Sequence, residues 1–438
     1  MAEVALIKTA AEQQLAAHWQ EAKSRLPGPA GLRDRAFRRF DATGLPHRRV
    51  EEWKYTDLRA LMRDAKPLAG IPDAAAKARA KNAGAMLASL DARRIVLVDG
   101  TPVPELSDLA TLDNGLTIRS MAQALAARDP LVARLGEIVP SDDPAFALNT
   151  AFMGDGVVIE VAPGAAIEHP IHLAFVFAGE APASVFPRSL VVVGKGARVM
   201  IVESHEGPAG SDYQINTALE MAVDEGAHVD HVRIVNEGSQ ALHVSTLAAA
   251  VGAHTRFNSF VFTIGGATVR NQMFLRFDGE GTVAGIRGAS LLKGKQHADV
   301  TVVVDHAVGD CTSRELFKSV LDGESRGVFQ GKIVVRPKAQ KTDARMATNA
   351  LLLSETAEAD NKPELEIFAD DVQCGHGATA GALDENLLFY LRARGIPPKE
   401  AEALLIQAFV GEAVEGIEHA GLRDVLMQAV VDWVRARG

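Results

Sequence analysis

The segment Asp370-Asp371-Val372-Gln373-Cys374-Gly375-His376-Gly377 places a thiol and an imidazole two residues apart, with a glycine after each. In an extended chain, residues two apart point the same way, so Cys374 and His376 share a face. Gly375 and Gly377 then leave room beside them for something to approach. Thiolate and imidazole suit an iron–sulfur cluster or zinc. Two donors do not complete a four-ligand site, however, and Cys311 is the only other cysteine. A cluster or metal held at Cys374 and His376 therefore needs ligands from a second chain. Two other readings stay open. One is a Cys–His hydrolase, which suffers from the roughly 7 Å splay of side chains two apart on one strand and from Asp370 and Asp371, which work against ionisation of the thiol. The other is structural, with Cys374 a small buried residue and His376 a hydrogen-bonded loop residue.

The remaining candidates carry less. Gly327-Val328-Phe329-Gln330-Gly331-Lys332-Ile333 is the nearest approach to a phosphate loop. It has one residue too few between the glycines and no hydroxyl after the lysine, so no ATPase site is expected. The Gly-x-Ser-x-Gly, His-Glu-x-x-His and Cys-x-x-Cys patterns are missing, which leaves the usual hydrolase and zinc readings without support. His169, His172, His228 and His231 fall in β-type segments and read as surface or core residues. A polysaccharide-active β-helix enzyme is the alternative from another class. It would have to work with Asp299 and Asp305, which form no compelling acid/base pair, and with aromatic residues at only 5%.

Of 438 residues, 47% are hydrophobic and 23% charged, enough for a sizeable core spread over two or three domains. A formal net charge of -10 argues against sequence-independent nucleic-acid binding. Arg336, Lys338, Lys341 and Arg345 read as a solvated basic stretch. No apolar run is long enough to span a membrane, and the N-terminus lacks a basic and apolar leader. The expected location is the cytoplasm. The two cysteines, far apart in sequence, imply no disulfide framework.

These groups must be positioned by elements of three textures. Residues 1–65 read as helices, with Leu15, Trp19 and Ala22 on one face of an N-terminal amphipathic segment and a second helix near Arg33 to Phe40. Residues 66–145 are mixed, with a strand at Arg94 to Val98 stopped by Asp99-Gly100. From about 150 to 345 come short β-type runs separated by turn signals roughly ten residues apart. The phrases Val161 to Ile167, Val193 to Val199 and Val223 to Val229 repeat one corner, in which Gly takes a positive φ and a small Ala follows. A repeated corner favours stacked turns, a β-helix, over a sandwich. From about 383 the chain is helical again, with Asp384 as an N-cap and three apolar faces, expected to form a small bundle capping one end of the β region. The expected organisation is residues 1–145 helical and mixed, 146–380 β-helix core, and 381–438 helical.

The block Glu315 to Phe409, with the segment Glu51-Glu52-Trp53-Lys54-Tyr55-Thr56, resembles the SufB/SufD family of iron–sulfur cluster assembly scaffolds. His376-Gly377-Ala378-Thr379, where the SufB branch usually carries His-Glu-Ala-Thr, points to the SufD branch. Gly375 departs from that branch, which commonly has serine between the cysteine and the histidine. The resemblance implies a mainly β protein: a right-handed parallel β-helix (solenoid) flanked by N-terminal and C-terminal α-helical regions. It implies a non-enzymic scaffold of the SUF system that pairs with a SufB-like scaffold and a SufC-like ATPase to support iron acquisition and cluster assembly. A homodimer of the isolated chain is the alternative assembly. His376, with Cys374, would face the SufB-like chain where a transient cluster forms. Leu387, Leu391, Leu404, Leu405 and Phe409 would dock the ATPase. No cofactor would be held stably by the chain alone, and ATP would be used only by the partner. A SufB-type cluster carrier is the other reading within the family; it calls for a second cysteine at the site, for which only Cys311 is available.

Overall fold

The computed structural model describes residues 8–437, so the first seven residues of the N-terminal amphipathic pattern lie outside the described part. Helix formation starts at Thr9, whose hydroxyl accepts from the Glu12 backbone N–H while the Glu12 carboxylate returns the bond. The helix Ala10–Ala22 buries Ala11, Leu15, Trp19 and Ala22. Trp19 stacks on Phe37 of the helix Ala30–Thr43 at 4.9 Å and meets Phe152 edge-on at 5.8 Å.

The β region is a parallel solenoid. Successive strands alternate between two sheets of ten strands each, and a strand pairs with the next strand of its own sheet one turn later. Hydrogen-bonded partners in adjacent turns lie 26 to 32 residues apart. Inward residues alternate with outward ones. Ile201, Val229, Phe257, Ala284 and Phe317 of one sheet face Leu219, Leu247, Leu275, Val302 and Ile333 of the other in a continuous core. The outward face of the sheet that carries Ile201 is apolar, whereas that of the other sheet also carries buried polar residues such as Arg188, Glu220, Arg270 and Asp299.

The corner seen in the sequence recurs beyond the phrases that reveal it. Gly164, Gly196 and Gly226 have φ of 69°, 66° and 69°, and the same left-handed position is held by His254 (54°), Gly281 (69°), Asp310 (55°) and Lys341 (64°). The turns are stacked by backbone bonds: Gly164 donates to the Lys195 carbonyl, Gly196 to Glu225, Gly226 to Ala253 and His254 to Glu280, all at 2.8 to 2.9 Å. The residue after each corner is small: Ala197, Ala227, Thr255, Thr282, Cys311 and Thr342 are all buried. Their side chains continue the ladder. Thr255 donates to the Asp224 carbonyl at 3.3 Å, Thr282 to Gly252 at 2.6 Å and Cys311 to Gly279 at 3.4 Å. Cys311 is thus a member of a stacked corner.

The C-terminal helices Pro398–Val414 and Ala420–Arg437 do not cap the solenoid. Ile406, Val410, Leu422, Leu426 and Val430 pack on Val202, Ile234, Phe260, Phe262, Leu291 and Val320, the outward face of one sheet. An i, i+3, i+4 stripe specifies that a helix has a buried side but not which surface receives it. Here the apolar outer face runs along the flank over many turns, and the helices lie there.

Candidate functional site

Cys374 and His376 lie on the strand Gln373–Gly381, the last of its sheet. Cys374 pairs with Ala344 and His376 with Met346 in a parallel register. Because Ala344 and Met346 face the solenoid core, so do Cys374 and His376, and Cys374 packs against that core. They therefore share an inward face, Cys374 half-buried and His376 exposed, at the end of the solenoid where no described strand follows. A Cβ on Gly375 or Gly377 would meet no described atom within 4 Å, and neither glycine has a positive φ. Steric clearance of the edge is what they provide.

Burial pushes the Cys374 thiol above its ordinary value, a backbone contact from Ala344 offsets this in part, and Asp343 adds to the rise. The opposing carboxylate is thus Asp343 on the neighbouring strand. Asp371, which the sequence places closer, is paired with Lys341. A protonated thiol needs a base or an incoming cation before it can ligate. The two residues offer one soft and one borderline donor and leave the rest of any coordination sphere to another chain.

Below this end, on the same inner column, His376 stacks over Met346 and Met346 over Glu315. Glu315 is fully enclosed, neither carboxylate oxygen has a partner, and burial raises its pKa to about 8. Sequence patterning gave no sign of Glu315, because a lone acid in an alternating strand looks like an outward residue. Gly331 of the loop-like segment sits inside the strand Arg326–Val335, where a Cβ would collide with the Met346 sulfur. Its glycine serves core packing.

The five apolar residues expected to dock a partner fall on two adjacent helices. Leu387 and Leu391 lie on Glu385–Ala393, and Leu404, Leu405 and Phe409 on Pro398–Val414. Leu387, Leu405 and Phe409 line one groove with Leu351, Thr379 and Leu383, which joins these helices to the edge strand. Glu385–Ala393 buries none of its residues, and Phe389 and Tyr390, absent from the sequence reading, are 73% and 52% exposed on it. Phe409 is half-buried beneath Lys318, whose Nζ lies 4.5 Å from the ring centre.

Glu51 to Thr56 forms a staple across the outer face of the second sheet. The Trp53 ring lies 3.9 Å from the Arg270 guanidinium carbon, Arg270 pairs with Asp299 at 2.5 Å, and Thr56 also donates to Asp299. Gln330 donates to the Glu52 carbonyl at 3.2 Å, and Lys362 of the last strand of that sheet pairs with Glu51 at 2.5 Å. Asp299 is therefore consumed structurally and Asp305 is paired with Arg336, so neither carboxylate of the polysaccharide reading is free for acid/base work.

Residues 12–173 match the SufBD protein N-terminal region, and residues 175–409 match the SufBD core domain of SUF system FeS cluster assembly. An iron-sulfur cluster assembly SufBD family protein of Synechocystis is 33% identical over 401 residues, covering 88% of this chain and 87% of that one. The iron-sulfur cluster assembly protein SufD of Escherichia coli is 30% identical over 392 residues, 89% of each chain. SufD of Bacillus subtilis is 24% identical over 388 residues, covering 87% and 88%.

Proposed function

The chain belongs to the SufBD family of iron–sulfur cluster assembly proteins, and from that membership we propose that it serves as a SufD-like, non-catalytic scaffold. In this reading its open last turn meets a SufB-like chain, and the groove between Leu387, Leu405 and Phe409 takes a SufC-like ATPase. His376, assisted by Cys374, supplies part of a ligand set that the second chain completes. The iron or cluster there is cargo.

The observation that carries the reading is the placement of Cys374 and His376 on one inward face of a terminal strand that is paired on one side only among the described residues. A hydrolytic pair would be enclosed and oriented by a third group; these two are half-exposed at an open edge. The Cys311 side chain is engaged in a corner ladder, which leaves the SufB-type carrier reading without its second cysteine. The test is anaerobic reconstitution of the co-expressed complex. His376→Ala should leave complex yield unchanged and lower iron and sulfide content several-fold. Unchanged cluster content in a stable His376→Ala complex would end the ligand role.

A further inference from the structure

A second group of potential ligands lies far from the open end. His205 is the penultimate residue of the strand Arg198–Glu206 of one sheet, His243 is the second residue of the strand Leu242–Val251 of the other, and Glu237 follows the strand His228–Asn236. All three are buried, and one donor atom of each lies within 4.8 Å of the other two. The imidazoles meet edge-on with centroids 4.9 Å apart. His205 uses Nε2 against Glu203 at 3.2 Å, and His243 uses Nδ1 against Glu237 at 2.9 Å. That leaves His205 Nδ1 and His243 Nε2 buried without a partner. Glu237 is further fixed by the Tyr213 hydroxyl, which donates at 2.6 Å.

Several features suit a cation. His205 has the Glu203 carboxylate on its other nitrogen, the arrangement that orients imidazole ligands in metal sites, and Glu237, against His243 Nδ1, is itself one of the three donors. The donors are two imidazoles and a carboxylate, a set that borderline divalent metals take. The surrounding buried charges are unequal: Glu203 is bound by the Arg233 guanidinium at 3.0 and 3.1 Å, whereas Glu237 is bound by His243 and the Tyr213 hydroxyl. The strand of His205 is six strands along its sheet from Gln373–Gly381, roughly 29 Å at the usual strand spacing. The group is thus separate from Cys374 and His376.

We propose that His205, Glu237 and His243 hold one divalent transition-metal ion of the zinc and ferrous class, which clamps the two sheets together across the solenoid. Enclosure means that the ion enters as the chain folds.

The test uses the full chain carrying Cys374→Ala and His376→Ala, so that the open end contributes no metal. This protein is unfolded with chelator, refolded with Co2+ and desalted. The expected result is one equivalent of Co2+ per chain, visible ligand-field absorption and a higher melting temperature than the metal-free refolded protein. Adding His205→Gln or His243→Gln should abolish the absorption and the metal-dependent shift in melting temperature. If either fails to refold, Glu237→Gln, which preserves the side-chain shape, decides by the same stoichiometry. Refolded protein without stoichiometric Co2+ overturns the proposal, as does equal retention by the Glu237→Gln and histidine variants.

Discussion

His376 projects from an edge strand with little packed around it, so truncation should cost no more than about 0.5 kcal/mol of stability. Cys374 is half-buried against the core, and Cys374→Ala should cost more stability and have a smaller or comparable effect on cluster content. Melting curves and iron content measured on one preparation separate the two contributions. Glu315 makes the contrasting case. Its carboxyl is held neutral by burial up to about pH 8, whereas in the unfolded chain it ionises near its ordinary value of about 4.3. Between those limits the folded state keeps a proton that the unfolded state has lost. Stability from this group must therefore fall as pH rises, by up to ~1.4 kcal/mol per pH unit. Glu315→Gln should flatten that slope and be the more stable protein at pH 8. Urea titrations of both proteins at pH 5.5 and 8 check it, and parallel slopes would mean that Glu315 is solvated or paired.

At the scale of elements, the Trp53 staple ties the N-terminal region to four strands of the second sheet. Trp53 is fully buried on Arg270, so Trp53→Ala should cost about 3–5 kcal/mol, seen as a lower urea midpoint, while Trp53→Phe should recover much of it. Independence of solenoid turns would suggest that deletion beyond Gly395 leaves the β region folded. The flanking position of the helices predicts otherwise: the deletion bares Phe260, Phe262, Leu291 and Val320, and insoluble protein is the expected outcome. ATPase docking is better probed on Glu385–Ala393, which buries nothing. Phe389→Ser with Tyr390→Ser should preserve the melting temperature and weaken ATPase pull-down by about 2 kcal/mol per anchor if both are hot spots. Much of this architecture was legible. Val161 to Ile167 and its two echoes announced the corners, and the strand expected at Arg94 to Val98 is Arg93–Val98. The repeat faded later because His254, Asp310 and Lys341 occupy the left-handed position that glycine marked earlier. Nor was there a short period to find, since a turn is made of two strands and unequal corners. The Cys374–His376 face followed from two-residue alternation. The Trp53 contacts and the His205–Glu237–His243 group were hidden, because their members come from different turns and meet only once the turns stack.

For the whole molecule, the two ends of the solenoid differ. At the N-terminal end each sheet closes with an antiparallel strand, Thr101–Pro102 on Arg93–Val98 and Leu116–Ser120 on Val157–Val161. At the other end Glu358–Ile367 and Gln373–Gly381 each pair on one side only among the described residues, and Ile367 and Phe368 stand 41% and 58% exposed beside them. A long uncovered edge is a template for another chain's strand, and it borders both His376 and the groove of Leu387 and Phe409. Assembly with a SufB-like chain should therefore depend on backbone donors at this edge. The Gln373 N–H donates to the Thr342 carbonyl at 2.8 Å. By two-residue alternation the N–H groups of Gly375, Gly377 and Thr379 also face the sheet, and those of Cys374, His376 and Ala378 face outward. Ala378→Pro removes one outward donor without touching the internal ladder, and proline is tolerated on the solvent side of an edge strand. The substituted chain should keep its melting temperature and circular dichroism, yet co-purify with a SufB-like partner at a fraction of the wild-type yield. Light scattering would then show the excess chain at lower mass. Retention of the full complex by folded Ala378→Pro protein would move the partner to another surface, and the incomplete ligand set of Cys374 and His376 would need a different explanation.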